Sequence, residues 1–202
     1  MTSSKTEFKR SFVQKLWYAW YRSMGWDAEY VEPGIDKYVI IVAPHTSNLD
    51  FLIGFIFSRA YPLPFPRFIA KKSAFVGPIG WLGRAVGGIP VDRTQRTNFV
   101  DQVAEQFNLH EQFVVAITPE GTRSKVTYWK SGFYHIARAA GVPIVMATID
   151  YGKKQIRYGA VLYPSGDLDA DMEKIRKFYE GATGRHPERQ GAIEIQPPKS
   201  EK

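Results

Sequence analysis

The stretch "KYVIIVAPHTSNLDFLIGFIFSRAY", residues 37–61, holds two apolar runs on either side of a polar turn. Its first half, "KYVIIVAP", is apolar at every position from Tyr38 to Ala43 and rich in β-branched residues. It reads as a short strand buried on both faces. The second half, "SNLDFLIGFIFSRAY", reads as a helix with Ser47 or Asn48 as its cap. A buried strand that hands over directly to a helix is the repeating unit of an α/β sheet. The turn between them carries His45 and Asp50, five positions apart, with only Thr, Ser, Asn and Leu in between.

The same alternation extends outward. "RFIAKK" reads as a second strand, and "GPIGWLGRAVGGIPVDR" as a Gly-rich, turn-rich segment ending in the strand-like "GGIPVDR". "TNFVDQVAEQFNLH" has the period of an amphipathic helix, and "QFVVAITPEGTRSK" is a strand running into a loop. "KSGFYHIARAAGVPI" is a helix stopped by Gly141 and Pro143. "PIVMATIDYG" and "KQIRYGAVLYP" are strands that can pair through "GKK", "DADMEKIRKFYEGATG" is a last helix, and "HPERQGAIEIQPPKSEK" is a mostly polar tail. The expected fold is a single α/β domain, a mostly parallel or mixed central sheet flanked by helices, preceded by an N-terminal amphipathic helix in residues 1–26. In such sheets ligands sit beyond the carboxyl ends of the strands. "PHTSNLD" and "TPEGTRS" each follow an apolar strand, so both are expected on one rim.

In that first helix Phe8, Phe12, Leu16, Trp20 and Met24 recur every four residues, and Val13, Trp17 and Tyr21 widen the stripe. Residues 1–26 carry Lys5, Lys9, Arg10, Lys15 and Arg22 against Glu7. Aromatic residues on one face with cations on the other suit a helix lying in a membrane interface. Packing on the domain core accounts for the stripe equally well.

With 202 residues the chain is long enough for one well-buried core. At 44% hydrophobic and 23% charged residues it is globular in composition. The absence of cysteine excludes disulfides, thiolate metal sites and a cysteine nucleophile. A net charge of +7 favours polyanionic partners, although solubility alone is served by it too. No run approaches the roughly 18 apolar residues of a membrane span, and no secretory signal is visible. The expected location is the cytoplasm, peripherally at the inner face of the membrane.

Asp50, about one helical turn beyond His45, is placed to accept from the imidazole Nδ1–H, which fixes the tautomer and leaves Nε2 free to take a proton. This is the base-and-orienter half of a triad without its serine, and no G-x-S-x-G elbow is present. Such a base acts on a substrate hydroxyl or a water. "PEGTRSK" supplies a second polar cluster. Arg123 offers a planar fork suited to phosphate, and Glu120 can accept from a substrate hydroxyl or brace the Arg. "VDRTQR" and "AKK" add further cations. An ordinary polar turn explains each cluster taken alone. His135 reads as structural, and His110 and His186 receive no role. Trp81 and Trp129 suit either an acyl groove or the core.

In combination, "PHTSNLD", "GGIPVDR", "TPEGTRS" and "GVPIV", in this order, resemble the glycerolipid acyltransferase family, which includes 1-acylglycerol-3-phosphate acyltransferases. The resemblance covers about residues 38–150 and makes 27–202 the acyltransferase domain. It implies that His45 is the general base for the acceptor hydroxyl and Asp50 its orienter. It implies that Arg93 and Arg123, helped by Lys71, bind the acceptor's head group, and that Glu120, Gly121 and Thr122 shape the acceptor site. The implied acceptor is a lysophospholipid, and the donor is a thioester, acyl-CoA or acyl-carrier protein. No metal, no bound cofactor and no nucleic acid are expected. The chain departs from the family at Pro44, Pro90 and Met146, and lacks the hydrophobic N-terminal segments of many members. That makes the aromatic, basic helix the candidate for reaching a bilayer. Two rivals keep part of this reading: an O-acyltransferase for a non-phosphate lysolipid such as a lyso-aminolipid, and a non-catalytic basic membrane-binding module.

Overall fold

A computed structural model of the chain describes residues 8–91 and 96–195. Helix α1 spans Phe12–Ser23 and opens with a capping box, Ser11 and Gln14 each accepting from the other's backbone N–H. Strand β1 (Asp27–Tyr30) follows, then β2 (Lys37–Ala43), α2 (Leu49–Ala60) and β3 (Arg67–Lys71). Helix α3 (Gly77–Ala85), β4 (Gly88–Val91), α4 (Arg96–Leu109) and β5 (Phe113–Ile117) lead to α5 (Gly132–Ala140). The chain closes with β6 (Ile144–Asp150), β7 (Gln155–Leu162) and α6 (Leu168–Tyr179).

The seven strands form one mixed sheet in the order β1-β7-β6-β2-β5-β3-β4. From β6 to β4 all neighbours are parallel, whereas β7 runs antiparallel to β6 through the expected tight turn. β2 therefore lies mid-sheet between β5 and β6, and every residue from Tyr38 to Ile41 is buried. Alternate residues serve two cores. Val39, Ile41, Val115, Ile144 and Met146 face helices α4, α5 and α6 through Phe107, Phe133 and Ile175. Tyr38, Ile40, Val114, Val145 and Ile149 face α1 and α2 through Tyr21, Ile56 and Phe57. This is the period-2 logic of a strand covered on both sides.

Three segments differ from the sequence reading. "DAEY" forms β1 because β7 offers a free edge for it, with Ala28 opposite Ile156 and Tyr30 stacked on Tyr158. "GPIGWLGRA" is not a turn but α3, begun at Gly77 with Pro78 in its first turn. Gly77 has a positive φ of +62° with open space beside it, whereas Gly80 in the helix and Gly88 at the start of β4 are there for close approach. A Cβ on Gly80 would lie 2.1 Å from the Phe75 carbonyl carbon, and one on Gly88 2.7 Å from the Phe75 ring. Around the buried Phe75 only glycine fits. Finally, the tail is tied back, Trp129 N–H donating to Glu194 O at 2.6 Å.

The stripe on α1 divides. Tyr21 is buried and Trp17 and Tyr18 pack beside it, with Trp17 edge-on to Phe55 of α2. Phe12, Val13, Leu16 and Trp20 stay exposed. Arg10 is absorbed by packing, its guanidinium 3.8 Å from the centre of the Tyr18 ring. Among the two tryptophans left open, Trp129 is core and Trp81 is exposed on α3. His135 sits on the exposed face of α5. No helix among the described residues is long and apolar enough to cross a membrane.

Candidate functional site

β2 ends at Ala43, and Pro44 to Asn48 turn the chain into α2 at the carboxyl end of the parallel strands. The helix start is held in an unexpected way. Asn48 occupies the cap position without a side-chain bond to the helix, and Ser47 Oγ accepts from Leu49 N–H at 3.2 Å. The backbone donors of the turn instead converge on Asp50. Its Oδ2 accepts from Thr46 N–H and Ser47 N–H, both at 2.9 Å, and from His45 Nδ1 at 3.0 Å. Its Oδ1 accepts from the hydroxyl of Tyr151 at 2.8 Å. Asp50 is 3% exposed, and burial by itself raises its pKa. The donors from His45, the Ser47 backbone and Tyr151 outweigh that and hold the carboxyl below its ordinary value. An ionised carboxylate bonded to Nδ1 assigns the proton of the neutral imidazole to that nitrogen. Nε2 has no partner among the described residues.

Glu120 reaches the same turn from the end of β5. Both of its oxygens accept from the His45 backbone N–H, at 3.0 and 3.2 Å. It is 3% exposed, and burial pushes its carboxyl up while the His45 N–H pulls it back. Glu120 thus grips the backbone of His45 and makes no ion pair with Arg123 among the described residues. The two loops do share one rim, as neighbouring parallel strands β2 and β5 require.

Gly121 follows with φ +68°, a conformation that leaves a side chain strained, and a Cβ there would meet Lys130 Nζ at 2.8 Å. Thr122 is exposed, its Oγ1 accepting from Ser124 N–H at 3.3 Å. Arg123 is exposed and lines a cavity of about 900 Å³ together with His45, Asp50 and Lys130. Helix α2 adds Phe51, Gly54, Phe55 and Ser58 to the wall, spacings that put all of them on one helix face over about 10 Å. A lining that combines a few charged and polar groups with many aromatic and aliphatic side chains suits an amphiphile. Lys71 ends β3 on the same rim by its backbone position. Arg93 lies outside the described residues. No cluster of His, Cys, Asp and Glu that could hold a metal exists among the described residues.

Three participants are not visible from sequence spacing. Tyr151 stands 101 positions from Asp50 and touches it only because β6 lies beside β2. Lys130 joins Arg123 because the loop after β5 doubles back, Lys130 N–H donating to Pro119 O at 2.9 Å. The segment after α6 braces the turn: His186 N–H donates to Thr46 Oγ1 at 3.1 Å, and Gly184 packs so tightly on Thr46 that a Cβ would meet its Oγ1 at 2.8 Å.

The acyltransferase family model matches residues 27–150. The 1-acyl-sn-glycerol-3-phosphate acyltransferase of Escherichia coli is 32% identical over 126 residues, 58% of this chain and 49% of that protein. The enzyme of the same name from Salmonella typhimurium is 31% identical over 115 residues, 52% of this chain and 44% of its own length. The chain thus spans about half the length of the curated relatives it matches.

Proposed function

The chain belongs to the acyltransferase family, and from that premise we propose that it moves a fatty acyl group from a thioester to the hydroxyl of a lysophospholipid, of the 1-acylglycerol-3-phosphate type. One observation carries the reading: a histidine whose Nδ1 is bonded to a buried, ionised carboxylate lines a large, mostly apolar cavity beside Arg123. His45 Nε2 takes the proton of the acceptor hydroxyl as its oxygen attacks the thioester carbonyl carbon. The imidazolium that forms is stabilised by Asp50. When the tetrahedral oxyanion collapses, the C–S bond breaks and His45 returns its proton to the leaving thiolate. Thioesters are reactive enough for this direct attack, so no covalent enzyme intermediate is needed.

Arg123, with Lys130 beside it, supplies the positive end of the site for the acceptor's phosphate. The wall formed by Phe51, Gly54, Phe55 and Ser58 takes an acyl chain. Glu120 and Gly121 shape the site by holding His45 and keeping the loop close to Lys130. The exposed face Phe12, Val13, Leu16 and Trp20 on α1, flanked by exposed Lys9 and Lys15, supports a peripheral contact with an anionic bilayer from which the lysolipid is drawn.

The test is thiol release from acyl-CoA or acyl-carrier protein in the presence of a panel of lysolipids. Wild-type protein is expected to turn over with a phosphate-bearing acceptor, and His45→Ala to lose that activity. Turnover that survives His45→Ala unchanged overturns the reading. Equal turnover of a lyso-aminolipid, with Arg123→Ala leaving acceptor KM unchanged, would move the acceptor to the non-phosphate class.

A further inference from the structure

We propose that Tyr151 is a positioning residue for the His45–Asp50 pair, its hydroxyl fixing the carboxylate so that Oδ2 faces the imidazole. This inference rests on the acyl-transfer reading above. Three donors share Oδ2, and the Tyr151 hydroxyl at 2.8 Å serves Oδ1. Asp50 is almost wholly buried, so without that donor Oδ1 would be a desolvated carboxylate oxygen with nothing to stabilise it. Rotation of the carboxylate toward water or another donor would then carry Oδ2 away from Nδ1.

Tyr151 is itself held from several directions. It follows the last residue of β6, and its N–H donates to Thr183 O at 2.8 Å. Trp26 packs edge-on against its ring at a centroid distance of 5.0 Å. Asp150, one residue back, accepts from Lys153 N–H and Thr183 N–H and fixes the turn. Ring and backbone contacts therefore set the position, and the hydroxyl alone reaches the catalytic pair. Burial, helped by the adjacent Asp50 carboxylate, pushes the Tyr151 hydroxyl well above its usual pKa, so it remains a donor at working pH. The chain of contact runs from Trp26, just after α1, through Tyr151 to Asp50 and His45.

Tyr151→Phe keeps the ring, the Trp26 contact and the Thr183 bond, and removes the hydroxyl. In the thiol-release assay kcat is expected to fall about 10- to 100-fold, the loss of one hydrogen bond to a charged group. KM for both substrates should stay within about twofold, and Tm within a few degrees. The downfield Nδ1–H proton resonance of His45 should move, a signature that packing alone would not change. Unchanged kcat and an unmoved resonance, with His45→Ala inactive, overturn the proposal and leave the acyl-transfer reading standing. A rise in KM together with a large drop in Tm gives Tyr151 a packing role and overturns it as well. Full activity in His45→Ala removes the reading itself.

Discussion

Asp50→Asn removes one charge and almost no volume, and the surroundings of Asp50 dictate how the amide must sit. The Oδ2 position faces two backbone N–H groups that can only donate, plus His45 Nδ1. The Oδ1 position faces a tyrosine hydroxyl, which can turn and accept. The amide oxygen is therefore expected at Oδ2 and the amide NH2 toward Tyr151, so the imidazole keeps its Nδ1–H tautomer. What is lost is the charge opposite the imidazolium. At 3.0 Å and an effective dielectric constant near 20, the attraction is about 5 kcal/mol. A neutral amide oxygen still accepts the hydrogen bond and retains about half of that, so about 3 kcal/mol is lost, a fall in kcat on the order of 100-fold. Where an asparagine flips the tautomer the loss is nearer 10⁴-fold. The assay is single-turnover thiol release, with the imidazole nitrogens followed by NMR to read the tautomer. A fall of less than tenfold would refute the catalytic use of the charge. A fall near 10⁴-fold with an Nε2–H imidazole would refute the placement of the amide.

The other contacts make separate expectations. Glu120→Ala leaves the His45 N–H without its acceptor and should cost about 1–3 kcal/mol in urea unfolding as well as most of the activity, whereas Glu120→Gln keeps an acceptor and should stay folded near wild-type Tm. Asp171 is buried under Ser165, Lys174 and Tyr134, and although burial opposes it their donors hold its pKa down to about 2. Its contribution, about 2 kcal/mol, is fully present above pH 4 and lost as pH falls through about 2, so Asp171→Asn should flatten that part of a stability–pH curve measured by urea titration. Leu16→Glu with Trp20→Glu changes two exposed side chains and should leave Tm within a few degrees while cutting binding to anionic vesicles at least about tenfold; unaltered vesicle binding would remove α1 from the membrane contact.

The apolar runs within β2, β5 and β6 are legible because a strand covered on both faces is apolar at nearly every position, the polar residues Lys37, Thr148 and Asp150 standing at or near strand ends. The His45–Asp50 contact is legible for a local reason, since a strand-to-helix turn brings positions five apart within one helical turn. β1 is not legible. "DAEY" is short and half charged, and its strand character comes from the open edge of β7. In α3 the glycines signal a turn by composition, but Gly80 exists because Phe75 leaves no room for a Cβ. By sequence Glu120 reads as an acceptor for a substrate hydroxyl or a brace for Arg123; its bond to the His45 backbone depends on β5 lying next to β2, a pairing that no local pattern encodes. Periodicity on α1 gives the stripe, and only the position of α2 decides that Trp17 and Tyr21 are covered while Leu16 and Trp20 are not.

The outer strands of the sheet have a consequence for the protein at high local concentration. Among the described residues β4 pairs with β3 alone, and Pro90 stands within its four residues with no N–H to offer. At the opposite edge β1 is equally short and carries Asp27 and Glu29. A second copy approaching edge-on therefore meets a missing donor on one side and, on the other, a four-residue strand whose Asp27 is paired with Arg22 and whose Glu29 accepts from Gln155. Neither border can template an added strand of useful length, so Pro90, which interrupts an apolar run in the sequence, protects the sheet from growing into an aggregate.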